Sequence, residues 1–134
     1  MELTLAQLND VGAGLLPGHL GVVIESAEDG RVAGRMELAD KHLAPNGYLH
    51  AAAVIALADT ACGYGCILSL PEGGTGFTTI ELKTNFLRTA KRGTMTCEAT
   101  RVHGGRTTQL WDATVRDPDG RTMALFRCTQ LILR

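Results

Sequence analysis

The chain has 134 residues, a length that suits one domain with a sizeable core, so we expect a single domain covering residues 1–134. It carries 13 lysines and arginines against 14 aspartates and glutamates, which gives a formal net charge of −1. Because nucleic-acid binding depends on a basic surface that neutralises phosphates, this balance argues against a nucleic-acid partner.

The amino-terminal third predicts one helix and two strands. A short amphipathic helix is expected near Leu3 to Val11, in a segment with acidic residues and no basic start. This segment therefore does not resemble a secretion signal, and we expect a cytoplasmic protein. Two strands follow, Leu20 to Glu28 and Arg31 to Leu38, joined at Asp29-Gly30.

The segment from Leu49 to Leu70 is almost wholly apolar and long enough to span a membrane. Asp59 near its middle and His50 at its start oppose that interpretation, since an acid at the bilayer centre costs about 3 kcal/mol. No basic cluster flanks either end. We interpret the segment as a core helix surrounded by a sheet, and we expect no membrane partner.

After this helix the apolar pattern changes from helical to alternating. Residues 77–86 predict a strand, with the odd-numbered side chains from Phe77 to Asn85 on one face. Three more strands are expected, at Thr94 to Val102, Arg106 to Arg116 and Arg121 to Leu133. Turn signals predict four hairpin-like connections, at Asp29-Gly30, at Lys91-Arg92-Gly93, at Gly104-Gly105 and at Pro118-Asp119-Gly120. The predicted fold class is α+β, with a mostly antiparallel sheet curled around one helix.

Asp59 is the only formally charged side chain between Gly47 and Pro71. A carboxylate in an apolar helix costs several kcal/mol unless it is hydrogen-bonded, paired or neutral. An active site is one explanation. The alternatives are a buried structural carboxylate and a cap for a helix that restarts at Thr60.

The sequence predicts no metal site and no cofactor. The four cysteines contain no C-x-x-C pair, and Cys62 and Cys66 are four residues apart among apolar neighbours, so we expect buried thiols that act as small hydrophobes. No His/Cys cluster has zinc spacing, and no glycine-rich dinucleotide loop follows a predicted strand.

Three motifs follow one another along the chain: GYLH at 47–50 with ALAD at 56–59, TIELKTNFLR at 79–88, and RVHGGRTT at 101–108. In this order and spacing they resemble the hotdog-fold acyl-CoA thioesterases, particularly the phenylacetate and 4-hydroxybenzoyl-CoA thioesterase type. The resemblance covers nearly the whole chain. It implies a hotdog fold, in which a curved antiparallel sheet wraps around one long central helix, and hydrolysis of an aromatic or medium-chain acyl-CoA.

The resemblance also implies a set of catalytic groups. In the family a His-Gly-Gly opens the helix and the acid follows nine positions after the His, a spacing that His50 and Asp59 keep. Asp59 is then the catalytic carboxylate, either as nucleophile or as general base for water. Ala51 replaces the first glycine, and its backbone N–H at the helix start is the candidate donor to the thioester oxygen. His50 is expected to bind the backbone there rather than to shuttle a proton.

Two other positions depart from the family pattern. The amide residue that often stands six positions before the His is Ala44 here. Asn46 is the candidate replacement, although with Gly47 it also forms an ordinary turn pair. The hydroxyl that some members place one turn after the acid is absent, because that position is Gly63.

The candidate substrate-binding residues form two groups. Residues for the acyl group are Gly47, Tyr48, Thr78 and Thr79, and Phe77 is a further candidate to flank an aromatic acyl group. Residues for the phosphates of coenzyme A are Arg88, Arg106, Thr107 and Thr108, because arginine suits phosphate geometry. The structural alternatives are ordinary turn and strand residues and solvated charges at strand ends.

A single hotdog subunit leaves a sheet edge exposed, so we expect self-association to a dimer or a homotetramer. The resemblance places the site at the subunit interface. Two other functions on this fold stay open at this stage. They are a hydratase or dehydratase and a non-catalytic acyl-CoA-binding protein.

Overall fold

A computed structural model describes residues 2–134. Its elements in chain order are α1 (Leu5–Val11), α2 (Leu16–Leu20), β1 (Val22–Glu28), β2 (Arg31–Leu38), a 3₁₀ turn (Asp40–His42), α3 (Ala51–Leu68), β3 (Gly76–Phe86), β4 (Gly93–Gly104), β5 (Thr108–Arg116) and β6 (Thr122–Leu133). The six strands form one antiparallel sheet in the order β1-β2-β4-β5-β6-β3. Helix α3 packs against this sheet, so the predicted α+β class is confirmed.

The two amino-terminal helices differ in how well the sequence predicts them. α1 begins after Thr4, whose hydroxyl accepts the N–H of Gln7 while the Gln7 side chain accepts the N–H of Thr4. α2 was not predicted, because it has only five residues and includes Pro17, which usually indicates a loop. Gly21 ends α2 with a φ of 85°, so β1 begins at Val22 rather than at the predicted Leu20.

β3 does not form the hairpin with β4 that the turn signal at Lys91-Arg92-Gly93 predicted. It pairs with β6 at one edge of the sheet, whereas β4 pairs with β2 and β5 in the interior. The connection leaves β3 along β6, where the N–H groups of Leu87 and Arg88 donate to Met123 O (2.8 and 3.2 Å). The other three predicted hairpins are present, between β1 and β2, β4 and β5, and β5 and β6.

A β-bulge at Ile80 changes which residues of β3 face α3. The register against β6 shifts between Thr79 and Glu81. Before the bulge, Phe77 and Thr79 face the helix; beyond it the even-numbered residues do, because they pair with buried residues of β6: Leu82 with Cys128, Thr84 with Phe126 and Phe86 with Ala124. The single alternation predicted for residues 77–86 is therefore correct up to Thr79 and wrong beyond the bulge.

Helix α3 packs on the sheet mainly through small residues. Its buried positions are Ala53, Val54, Leu57, Ala58, Ala61, Cys62, Gly63, Gly65 and Cys66. Within residues 2–134 it is the one helix long and apolar enough to cross a membrane, and half of its residues are buried in the fold. It therefore occupies the central place that the sequence predicted for a core helix.

Gly65 lets the Trp111 ring lie directly on α3. A Cβ at Gly65 would lie 2.3 Å from Trp111 Cη2, and the ring is fully buried. Trp111 Nε1 donates to Gln109 Oε1 (2.8 Å), which fixes the ring in this position. We expect Gly65→Ala to lower the free energy of unfolding by about 1–3 kcal/mol in urea denaturation, because the overpacking outweighs the better helix propensity of Ala. Gly14→Ala is the control, since a Cβ there meets no atom within 4 Å; equal stability of Gly65→Ala and wild type would contradict the packing.

Candidate active site

Asp59 lies on α3 opposite the first part of β3. Its side chain is half-buried, and its Oδ1 lies 3.5 Å from Thr79 Oγ1. Burial raises the pKa of Asp59 above its ordinary value of 3.8, and the contact with Thr79 offsets part of this effect. α3 continues without a break through Thr60, so Asp59 does not cap a second helix. The ion pairs of residues 2–134 use other carboxylates, which leaves Asp59 unpaired and typical of a functional group.

The first turn of α3 presents one free backbone donor. His50 precedes the helix in an extended conformation, and its Nδ1 accepts the N–H of Ala52 (2.9 Å). The N–H of Ala53 donates to His50 O (3.0 Å). Within residues 2–134 no acceptor binds the N–H of Ala51, which is exposed. His50 therefore binds the backbone, while Ala51 offers its N–H to a ligand.

Asn46 and Gly47 form the turn that leads to the helix. Asn46 Oδ1 accepts the N–H of Tyr48 (3.1 Å), and the N–H of Gly47 donates to Ala44 O (2.8 Å). Gly47 has a φ of 87°, which favours glycine. Tyr48 is exposed, with Lys91 Nζ 5.4 Å from the centre of its ring. The contacts of Asn46 within the chain are thus those of a turn residue.

The hydroxyl beside Asp59 comes from β3 and not from α3. A Cβ at Gly63 would lie 2.8 Å from Phe77 Cζ, so the Phe77 ring occupies the space of a side chain one turn after the acid. Two residues further along β3, Thr79 reaches Asp59. Thr78 points to the other face of the sheet, so the structure separates the two threonines and places only Thr79 at the site.

Gln130 also contacts this group, although it is not among the residues predicted for the site. Thr79 Oγ1 lies 2.8 Å from the side-chain amide of Gln130. Gln130 lies on β6 and is fully buried. The signal was available in the alternation of β6, because Gln130 is a polar residue at an inward position between Cys128 and Ile132.

The residues predicted to bind phosphate lie at two ends of the sheet. Arg106 and Thr107 form the turn between β4 and β5, and Thr108 begins β5. Arg88 follows β3 at the opposite end. The 11 residues of β3 separate the two groups by about 30 Å. One chain therefore does not bring the predicted set together, contrary to the simplest interpretation of the sequence.

A second arginine accompanies Arg106. A cavity of about 570 Å³ is lined by Arg106 and Thr107 together with Pro71, Glu72 and Arg134. Arg134 donates to Glu72 O (2.8 Å) and to Arg106 O. The sequence alone does not single out Arg134, because only the fold brings it to the hairpin of Arg106.

One side of the site is apolar and open. Ala51 and Ala52 are exposed on α3, and Ile55 and Ala56 are half-buried. Beside them on β3, large apolar residues that face the helix stay partly exposed, Leu82 at 40% and Phe86 at 46%. Within residues 2–134 no group of His, Cys, Asp and Glu side chains has the arrangement of a metal site.

The comparisons with known proteins agree with one another. A family model described as the Thioesterase superfamily matches residues 46–124. The proofreading thioesterase EntH of Klebsiella pneumoniae is 32% identical over 132 residues, which cover 98% of this chain and 96% of that protein. A 1,4-dihydroxy-2-naphthoyl-CoA hydrolase of Listeria monocytogenes is 30% identical over 110 residues, covering 82% and 89%. The crystal structure of a thioesterase from Haemophilus influenzae superposes with a TM-score of 0.92 at 26% identity, covering 100% of this chain and 93% of its own.

Proposed function

The chain belongs to the thioesterase superfamily, and we propose that it uses Asp59 to hydrolyse the thioester of an aromatic or medium-chain acyl-CoA. Its hotdog fold, its activity as a thioester hydrolase and an acyl-CoA substrate follow from the family. The acyl group and the residue roles are the proposal. The observation that carries it is the half-buried Asp59 carboxylate, which is unpaired and lies beside an open apolar surface.

Asp59 suits either chemical route. As a nucleophile its carboxylate attacks the thioester carbon, the C–S bond breaks and coenzyme A leaves, and water then hydrolyses the mixed anhydride. As a general base it takes a proton from the water that attacks. Burial makes the carboxylate a stronger base than an exposed aspartate, while the Thr79 hydroxyl favours the ionised form that both routes need.

The two central groups of one site have to come from two chains. Ala51 and Asp59 are eight residues apart on α3, which places them about 12 Å apart along the helix axis. A thioester oxygen bound by the N–H of Ala51 is then too far from Asp59 of the same chain to react, because catalytic groups act at about 3 Å. We assign the N–H to one subunit and the carboxylate to the other.

The free edge of β3 fits a second copy of itself. An antiparallel pair centred on Leu82 places Glu81 of each chain opposite Lys83 of the other, so that opposite charges meet twice. The pair would cover the exposed apolar surface of Leu82 and Phe86. It would also bring the Gly76 end of β3 in one chain beside the Phe86 end in the other.

This pairing gives the predicted phosphate residues a common location. Arg106, Thr107 and Thr108 lie near the start of β3, and Arg88 lies beyond its end. We therefore propose that coenzyme A is held by Arg88 of one subunit and by the hairpin of Arg106 of the other. Apolar residues on the outer face of β6 support a tetramer built from two such dimers: Leu125, Leu131 and Leu133, all exposed in one chain.

The proposed register is tested by exchanging charges. Glu81→Lys is expected to weaken the dimer about tenfold or more in Kd, since two like charges then face each other at both ends of the symmetric pair. The double variant Glu81→Lys, Lys83→Glu is the matched control and should regain the wild-type Kd in sedimentation equilibrium. A double variant that dissociates as readily as Glu81→Lys would exclude this register.

The acyl pocket adjoins Tyr48 and the open face of α3. Gly47 gives this turn its shape, and Asn46 is the candidate amide because its amino group is free to donate while its oxygen holds the turn. The Listeria relative is named for an aromatic acyl-CoA, which favours aromatic substrates for this chain. We further propose that the enzyme is cytoplasmic, since its four buried cysteines are free thiols, and that it uses no cofactor.

The proposed function is tested with a panel of aromatic and medium-chain acyl-CoAs, by the release of free thiol. We expect release from one class of acyl group, with aromatic substrates the faster. Saturable binding without thiol release from any substrate would instead favour a non-catalytic acyl-CoA-binding protein. Addition or loss of water at the acyl chain would favour a hydratase or dehydratase.

A further inference from the structure

Gln130 is a fully buried polar side chain that the proposed mechanism does not use. Its neighbours on the inward face of β6 are Cys128 and Ile132. One end of its amide lies 2.8 Å from Thr79 Oγ1, and the other end lies 3.4 Å from Cys128 Sγ. An amide buried on an apolar face costs free energy unless its hydrogen bonds are made, so this placement needs a purpose beyond packing.

The direction of the Thr79 proton decides what this contact does. If the amide oxygen of Gln130 faces Thr79, the single hydroxyl proton goes to Gln130, and Asp59 meets only oxygen lone pairs. The side-chain amide keeps the same shape after a half-turn about its Cγ–Cδ bond, which exchanges the positions of its oxygen and its nitrogen. In that orientation its NH₂ donates to Thr79, the Thr79 hydroxyl donates to Asp59, and the Cys128 thiol donates to the amide oxygen. The Gln130 oxygen, the Thr79 hydroxyl and the Asp59 carboxylate then each have a suitable partner, and the carboxylate receives a proton donor.

We infer that Gln130 is a positioning residue, which acts through Thr79 to hold the Asp59 carboxylate in place and ionised. The hydrogen bonds run in one direction, from Cys128 through Gln130 and Thr79 to Asp59. This inference rests on the proposed function, because it concerns the carboxylate that is proposed to react.

Besides burial, which raises the pKa of Asp59, the groups that face this carboxylate leave hydrogen bonding as a local control of its ionisation. On its own helix the titratable neighbour is Cys62, and the hydrogen bond with Cys128 together with burial raises the pKa of Cys62, so it stays a neutral thiol. The charged side chains of the adjoining strands alternate to the outer face of the sheet: Glu81, Lys83 and Arg127. Within the described chain no cation pairs with Asp59.

The test is a double-mutant cycle in which kcat/KM is measured as a function of pH on the acid side of the profile. Gln130→Met keeps the size of the side chain without the amide, and Thr79→Val removes the hydroxyl. Each is expected to move the acid limb to higher pH and to lower kcat/KM on that limb about tenfold, since the ionised Asp59 loses a donor. The double variant should behave as Thr79→Val does alone. Thr79→Ser keeps the hydroxyl and should keep the wild-type limb.

The inference would be overturned if Gln130→Met left the acid limb unchanged. It would also be overturned if the loss of kcat/KM in Gln130→Met added to the loss in Thr79→Val. If Gln130→Met does not fold, Gln130→Leu replaces it. Leucine also lacks the amide and carries no charge, so the resulting shift must disappear in the Thr79→Val background. A shift that persists there does not pass through Thr79 and counts against the inference.

Carbon-13 NMR titration of Asp59 separates this inference from the proposed function. In Gln130→Met the carboxyl resonance should titrate at higher pH than in wild type, with or without turnover. A wild type that hydrolyses no acyl-CoA but shows this shift would defeat the proposed function and support the positioning role. If the enzyme is active and depends on Asp59 but the shift is absent, the proposed function is supported and the positioning role is excluded.

Discussion

Replacement of Asp59 by Asn is expected to lower kcat by about a thousandfold or more while the protein stays folded. The amide can neither attack a thioester carbon nor accept a proton from water. It keeps an oxygen for the Thr79 hydroxyl, so the local contact survives. Thiol release on the best acyl-CoA measures the loss. The control is Glu28→Gln, an exposed carboxylate on the edge strand β1 that pairs with Arg31, and it should retain full activity.

The same variant should unfold at a higher temperature than wild type at neutral pH. Burial raises the pKa of Asp59 in the folded state, so the folded state binds this proton more tightly than the unfolded state does. Wild-type stability therefore falls as pH rises through the folded pKa, because the ionised carboxylate is the disfavoured form. The uncharged amide of Asp59→Asn lacks this cost.

Thermal unfolding at two pH values checks this sign. The advantage of Asp59→Asn is expected at neutral pH and should disappear below 3.8, where the carboxyl is protonated in both states. A variant that is less stable than wild type at neutral pH would make Asp59 a structural residue. Wild-type kcat/KM should rise with pH through the folded pKa of Asp59, since the ionised form reacts.

The sequence predicts local features of this fold well because their causes are local. Asp59 is conspicuous because its neighbours in the sequence are apolar, and the same apolar run predicts the helix around it. The turns at Gly30 and Gly120 are also local, since both glycines adopt the positive φ that their turns need. The spacing from His50 to Asp59 is likewise local, since His50 caps the start of α3 and Asp59 lies within the same helix.

Features that depend on distant partners could not be predicted in the same way. The turn signal at residues 91–93 indicates a change of chain direction. It does not indicate that β3 pairs with β6, because β6 lies far along the chain. The bulge at Ile80 is visible only against that partner. The role of Gln130 depends on its contact with Thr79, which lies on β3 and is distant in the sequence. The separation of Arg88 from Arg106 shows the same limit, because it depends on where β3 and the turn between β4 and β5 lie in the sheet.

Removal of one backbone N–H tests the other half of the site. Ala51→Pro is expected to lower kcat about a hundredfold to a thousandfold, the loss typical of one oxyanion donor. Proline suits the first helical position, and the preceding His50 is already extended (φ −69°, ψ 133°), so the helix should form normally. Ala51→Ser and Ala51→Gly keep the N–H and should remain active. Equal activity of the Pro and Ser variants would exclude Ala51 as a donor.

Mixing the two inactive variants then shows how the site is divided between chains. In a heterodimer of Ala51→Pro and Asp59→Asn, one of the two sites joins an intact Ala51 N–H to an intact Asp59. Random reassociation gives half heterodimers, so about a quarter of wild-type activity should return. If both groups of a site came from one chain, no activity would return, because each chain carries one defect.

A chain with both substitutions provides the converse control, since its heterodimer with wild type has no intact shared site and one intact single-chain site. The paired mixtures therefore decide whether the separation of about 12 Å between Ala51 and Asp59 on α3 is bridged by a second subunit.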